Sequence, residues 1–239
     1  MIDFPIEKIL PACKEIGVDL NDEQIKNLNT YANLLVSWNE KMNLTAITEP
    51  IDVVWKHFYD CILFFKNISV KEGASIIDVG TGAGFPGVVL KIVREDINLT
   101  LLDGLNKRLV FLDEVLKQLD LTAKIVHLRA EEGAKKVEYR EQYDFAVARA
   151  VANMNTLSEY CIPYVKKGGF FVALKGPTGS IEAKEAKGAV KLLGGSDIKV
   201  YKEHHEMLGE RTILETQKIS NTPVKYPRAS GKISKSPLK

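Results

Sequence analysis

Between Ile76 and Gly84 the chain reads Ile-Ile-Asp-Val-Gly-Thr-Gly-Ala-Gly, followed by Phe85. A strand that runs into Gly-x-Gly-x-Gly and then a helix sets its ligand at the carboxyl end of a parallel sheet. Gly80, Gly82 and Gly84 lack a Cβ, so the chain can turn sharply and a ligand can approach the backbone. Amides at the start of the next helix suit a carboxylate or a phosphate. Two ligand classes compete for such a turn. A dinucleotide requires Gly-x-Gly-x-x-Gly, a spacing that Gly82, Gly84 and Gly87 satisfy, although alone it is weak evidence. Three features lean towards S-adenosylmethionine. Asp78 lies inside an apolar strand end, where a buried carboxylate needs a partner. The ammonium of a methionine moiety would supply one, directly or through water, whereas a pyrophosphate would be repelled. Phe85 can pack near the ligand. Asp103, at the end of the next strand, can bind ribose hydroxyls, a role common to both classes. The plain alternative is a glycine turn with no ligand.

The elements that must position these residues follow from periodicity. Asn21 and Gln24 form a capping-box pair. Ile25, Leu28, Ala32, Leu35, Trp38 and Met42 then recur at helical spacing. Val54, Phe58, Cys61, Ile62 and Phe65 repeat that pattern. A shorter helix is expected over Ile6 to Ile16, kinked or interrupted at Pro11. From Ala74 strands alternate with helices. Strands are expected at Ser75–Val79, Leu99–Leu102, Ile125–Leu128, Tyr143–Ala148 and Phe170–Leu174. Helices are expected over Pro86–Val93, from a cap at Asn106, and over Ile181–Leu193. Two β-like runs, Ile198–Tyr201 and Thr212–Ile219, have no helix between them and should pair antiparallel at a sheet edge. The fold class is α/β: a Rossmann-like, mainly parallel seven-stranded sheet with helices on both faces and an N-terminal helical extension. Residues 1–70 form the helical region, 71–220 the ligand-binding domain and 221–239 a basic tail.

A chain of 239 residues, 45% hydrophobic and 27% charged, can bury a sizeable core. No apolar run approaches the roughly 20 residues that span a bilayer, and the N-terminus does not read as a secretory signal. Cys13, Cys61 and Cys161 are far apart and odd in number, which argues against disulfides and against a Cys-x-x-Cys metal site. The expected setting is reduced and cytoplasmic, with no membrane and no metal. The net charge of +2 says little. Its distribution says more, because Asn221–Lys239 holds Lys225, Arg228, Lys232, Lys235 and Lys239 and no acid. Such an end suits a polyanion, or is simply a solvated tail.

Longer segments carry a specific resemblance. Asp78-Val-Gly-Thr-Gly-Ala-Gly-Phe-Pro-Gly87 and Leu102-Asp-Gly-Leu-Asn-Lys-Arg108 are similar to the glucose-inhibited division protein B (RsmG) family. So are Trp38-Asn-Glu-Lys-Met-Asn-Leu-Thr-Ala-Ile47, Lys56-His-Phe-Tyr-Asp60, Ala148-Arg-Ala150, Ala173-Leu-Lys-Gly176, Asn221-Thr-Pro-Val-Lys-Tyr-Pro-Arg228 and Lys235-Ser-Pro-Leu238. Gly231-Lys-Ile-Ser departs from the Gly-x-Pro expected there. The resemblance implies a class I methyltransferase that uses S-adenosylmethionine to methylate N7 of a guanine in the decoding-region loop of 16S ribosomal RNA. By position it implies cofactor contacts from Gly80, Phe85, Asp103 with Gly104, the pair Ala130-Glu131, and Arg149. Asp78, Gly82 and Gly84 complete that set. The partner implied is 16S ribosomal RNA or the small subunit; no obvious dimer seam is visible in the sequence, so a monomer is expected.

Methyl transfer from a sulfonium is an in-line displacement, so the site mainly aligns donor and acceptor. Guanine N7 carries an in-plane lone pair and loses no proton, so no general base is required. Ala148-Arg149-Ala150 replaces the Asn-Pro-Pro-Tyr type of motif that grips an exocyclic amine, and no Pro-Cys pair marks a cysteine nucleophile. Arg149 is therefore expected to organise the cofactor pocket or the acceptor base. Lys107, Arg108, Lys175, Lys225 and Arg228 are the expected RNA contacts. His57 and Asp60 read as a helix-surface pair, His204-His205 as a chance pair, and Trp38 and Trp55 as packing residues. Competing functions are a methyltransferase for a small molecule or a protein, a non-enzymatic RNA-binding factor, and a nicotinamide oxidoreductase.

Overall fold

The computed structural model describes residues 2–239. A 3₁₀ turn (Ile6–Lys8) leads into α1 (Leu10–Glu15), so the interruption precedes Pro11, which sits in the helix's first turn. The long helix α2 (Asp22–Met42) is capped by Asn21 with the reciprocal Gln24 bond. It buries Leu28, Tyr31, Ala32 and Leu35, and ends on Asn43 in the left-handed conformation. Next comes a continuous helical stretch: α3 (Pro50–Asp52), a π-helical segment (Val53–Tyr59), α4 (Asp60–Ile62) and α5 (Phe64–Asn67). The π-helical turns bury Val53, Val54, Trp55, His57, Phe58 and Tyr59, nearly all round the axis, which helical periodicity alone did not anticipate.

The sheet is then laid down as β1 (Ser75–Val79), α6 (Gly87–Val93), β2 (Asn98–Asp103), α7 (Asn106–Gln118), β3 (Lys124–His127), α8 (Ala130–Gly133), β4 (Tyr143–Arg149), α9 (Met154–Cys161) and β5 (Val165–Lys175). It closes with α10 (Gly179–Glu185), α11 (Lys187–Leu192), β6 (Lys199–His205), β7 (Gly209–Gln217) and α12 (Ser230–Lys235). The order is β3-β2-β1-β4-β5-β7-β6. The first five strands are parallel, and β7 inserts antiparallel between β5 and β6. Three expectations shift. Asn106 is the first residue of α7, not its cap. That place belongs to Leu105, whose amide bonds to Asp103. The expected helix over Ile181–Leu193 breaks at Ala186. β5 starts earlier and includes Gly168-Gly169.

Strand alternation divides the core into two layers. Ile76, Leu101, Phe145, Val147 and Val172 pack with α6, α7 and the N-terminal helices. Ile77, Leu102, Ala146, Ala148 and Ala173 pack with α9, α10, α11 and Tyr226 of the C-terminal segment. The N-terminal helices therefore share one core with the sheet. The period of two along β1 and β4 places Asp78 on the side of Ile76, and Arg149 on the side of Val147. Both site residues thus face the N-terminal helices. Strand order reverses between β1 and β4, which is where such sheets open a ligand crevice at their carboxyl ends.

Candidate active site

The glycine turn hangs on β2, with the amides of Gly80 and Thr81 both donating to the carbonyl of Leu102, at 2.8 and 3.1 Å. Gly80 and Gly82 have φ of 72° and 60°; a Cβ on Gly82 would meet only the Gly80 carbonyl, at 3.9 Å, whereas one on Gly80 would press on Val151 at 3.0 Å. Gly84 serves a different purpose. A Cβ there would lie 2.6 Å from the Tyr31 hydroxyl and 2.8 Å from Val88, so packing against α2 and α6, rather than ligand approach, demands glycine. Likewise a Cβ on Gly87 would fall 2.7 Å from Asp78 Oδ2.

Asp78 is fully buried. Its Oδ2 accepts from Thr81 Oγ1 at 2.7 Å and from the Gly87 amide at 2.8 Å. Its Oδ1 has no partner, the one such buried side-chain atom among the described residues. Burial pushes the carboxyl up to about 6, against those two donations. A buried carboxylate oxygen with nothing to accept from is costly, and a cationic donor at the turn would relieve it. The residues therefore fit the ammonium end of S-adenosylmethionine.

Asp103 accepts from the Gly82 amide at 3.0 Å, the Leu105 amide at 2.8 Å and Arg108 at 3.3 Å. A carboxylate has about four lone-pair sites, so it can still accept from one hydroxyl. Gly104 follows it on the exposed rim. Glu131 is buried in α8, directly after Ala130, at the end of β3. Asp78, Asp103 and Glu131 thus follow one another at the carboxyl ends of the neighbouring strands β1, β2 and β3.

Arg149 closes the other end. Its Nη1 donates to Asp60 Oδ2 at 2.9 Å and to the Lys56 carbonyl at 3.0 Å, and its Nη2 donates to His57 Nδ1 at 3.0 Å. The guanidinium also lies 4.7 Å from the Phe85 ring centroid. His57 is buried, not on a helix surface, and stacks on Phe85 at 4.4 Å. Because arginine only donates, His57 Nδ1 must accept, leaving the proton on Nε2 for Thr45 Oγ1 at 2.9 Å. Burial, and next the charge of Arg149, lower the imidazole to about 3, so the ring is neutral. Thr45 is itself held by Asn39, which explains the Trp38–Ile47 segment: it delivers the chain Asn39, Thr45, His57 to Arg149. Asp60 is not His57's surface partner. It bridges Arg149 through Oδ2 and Arg211 of β7 through Oδ1, at 2.9 and 2.7 Å. No local pattern marks Arg211, while Lys56-His57 and Asp60 carry a signal in their motif.

Beside Arg149 lies a cleft of ≈ 500 Å³, whose walls include Ile47, His57, Asp60, Lys175, Glu182 and Arg211. Lys175 reaches Glu182 at 2.8 Å and the Ala152 carbonyl. It is therefore a buried member of the cleft wall, not a free RNA contact. Arg228 is also withdrawn: it binds Glu159, whose side chain is fully buried, at 2.7 Å, and so latches the C-terminal segment onto α9. Arg108 is partly engaged by Asp103. Lys107 and Lys225 remain exposed. Cys13, Cys61 and Cys161 are buried free thiols. Trp55 stacks on His205 at 4.3 Å, so that histidine is a packing residue. Among the described residues no cluster of three His, Cys, Asp or Glu could hold a metal, and no helix is long and apolar enough to cross a membrane.

Ribosomal RNA small subunit methyltransferase G of Clostridium tetani is 48% identical over 232 residues, covering 95% of this chain and 96% of that one. The protein of the same name from Clostridium perfringens strain 13 is 48% identical over 230 residues, with the same coverage. A Listeria monocytogenes structure, described as a class I S-adenosylmethionine-dependent methyltransferase, aligns with a TM-score of 0.56 at 14% identity, covering 81% of this chain and 69% of that one. The strand order, the glycine turn with its two acids, and a match over residues 24–214 together make this chain a member of the GidB family, rRNA small subunit methyltransferase G.

Proposed function

We propose that the chain transfers the methyl group of S-adenosylmethionine to N7 of a guanine in 16S ribosomal RNA. The observation that supports N7 is that the groups beside Arg149 able to take a proton are already committed. His57 accepts from Arg149 and donates to Thr45, and Asp60 is shared by two arginines. An acceptor that keeps its proton count suits such a cleft, and the N7 lone pair is one. S-adenosylmethionine supplies an electrophilic methyl on a sulfonium.

The chain's own part is alignment and charge. Asp78 Oδ1 receives the ammonium, Asp103 the ribose, and Glu131 with Ala130 the adenine edge. Gly80 and Gly82 let the ligand lie against the backbone, and Phe85 braces Arg149 from below. Arg149, fixed by three partners, holds the boundary between donor and acceptor without exchanging protons. In the cleft, the Lys175–Glu182 ion pair is part of the wall against which the base lies. Mass-spectrometric mapping of 7-methylguanosine in 16S ribosomal RNA, with and without this protein, tests the assignment. Identical maps would sink it.

A further inference from the structure

With Lys175, Arg228 and Arg108 engaged in ion pairs, the cations that meet the RNA backbone must be found elsewhere. A second groove of ≈ 390 Å³ runs between α10 and the β6–β7 hairpin, walled by Ser180, Lys184, Lys202, His204, Arg211 and Thr212. Arg211 lines both this groove and the acceptor cleft, so the two meet at its side chain. Its Nε is held by Asp60, and its Nη1 by the carbonyls of Leu208 and Glu210, which leaves Nη2 as a fixed donor at the junction. Lys184 and Lys202 are exposed. The neighbouring acids are spent on other cations, Glu203 on Lys66 and Glu182 on Lys175. Glu210 is exposed and marks the groove's acidic exception.

We propose that the phosphate backbone of the RNA strand flanking the acceptor base runs along this groove, from Arg211 at the cleft to Lys184 and Lys202. The proposal rests on the cleft beside Arg149 receiving the base. Phosphate contacts position a strand, and fixed arginine donors at a corner set its register. Lysines on an edge strand such as β6 have another use, blocking edge-to-edge pairing, and that use would leave RNA affinity unchanged on substitution.

The test is the double variant K184E/K202E. Binding is measured with 16S ribosomal RNA across a salt series, and methylation with small subunits from cells lacking the enzyme. Each phosphate contact contributes roughly 0.7–0.9 to the slope of log affinity against log salt. The variant should lose about two contacts, flatten the slope by roughly 1.4–1.8, and raise KM about tenfold or more with kcat nearly intact. S-adenosylmethionine affinity by calorimetry should equal wild type, which shows that the variant is folded. An unchanged slope and KM in the folded variant would overturn the groove. If wild type binds RNA but methylates nothing, the proposed reaction fails, while the salt slope still judges the groove.

Discussion

Around the glycine turn the bonds that hold the two acids are short-range in sequence: Thr81 and Gly87 reach Asp78 across 3 and 9 positions, and Leu105 and Gly82 reach Asp103 across 2 and 21. Around Arg149 they are distant. Its partners lie 89, 92 and 93 positions away, and Arg211 reaches Asp60 across 151. The donor end retains a buried oxygen without a partner. The acceptor end has its charges matched already. One end is thus completed by a ligand, and the other is preorganised by the fold.

If that contrast holds, the largest effect belongs to the preorganised end. Arg149→Ala should lower kcat/KM by about 100-fold or more, the scale of misplaced reacting groups. It should also cost on the order of 2–3 kcal/mol, less than a fully broken buried pair because Asp60 keeps Arg211. Turnover within threefold of wild type, measured on small subunits, would break the comparison at its acceptor end.

At the donor end, Asp78→Asn should weaken S-adenosylmethionine about 10- to 100-fold, the worth of a hydrogen bond to a charged group. Calorimetry measures this directly. The same residue predicts a pH effect on the ligand-free chain. Its folded pKa, about 6, lies above the 3.8 of a free aspartate, so the folded state binds more protons between those values. Stability should therefore rise as pH falls from 7 towards 4, by about 3 kcal/mol at most. Thermal melts against Asp78→Asn should show the gain in wild type alone. Cofactor affinity should move oppositely, weakening below pH 6 as the carboxylate is neutralised.

Smaller effects sharpen the picture. Glu159→Gln removes the charge that latches Arg228 and should cost about 2–3 kcal/mol. Hydrogen exchange should quicken mainly in residues 223–239, with turnover changed only a few-fold. Exchange spread evenly over the sheet would refute a local latch. Thr45→Val removes one hydrogen bond to His57, worth about 1 kcal/mol, and should lower kcat roughly fivefold. Because His57 titrates near 3, no inflection of the pH–rate profile near 6.5 should vanish in this variant.

The same contrast explains what was legible in the sequence. The turn, its two acids and the five parallel strands were readable because alternation and glycine spacing are local signals. The edge pairing of β6 with β7 followed from the missing helix. By contrast, His57 looked like a surface residue because its burial depends on Phe85 and Arg149 folding over it from another layer. Arg228 and Lys175 looked free because a sequence shows charge but not the Glu159, 69 positions away, or the Glu182, on the following helix, that neutralises it. Arg211 carried no local pattern at all.

Asp60 has a consequence for how this site can change over generations. One carboxylate serves two arginines from different strands, so a substitution at Arg149 alters what Arg211 is worth, and the reverse. Effects at contacting positions do not add. Arg149, Arg211 and Asp60 should therefore drift as a linked trio, where the loss of one changes the selection on the remaining pair.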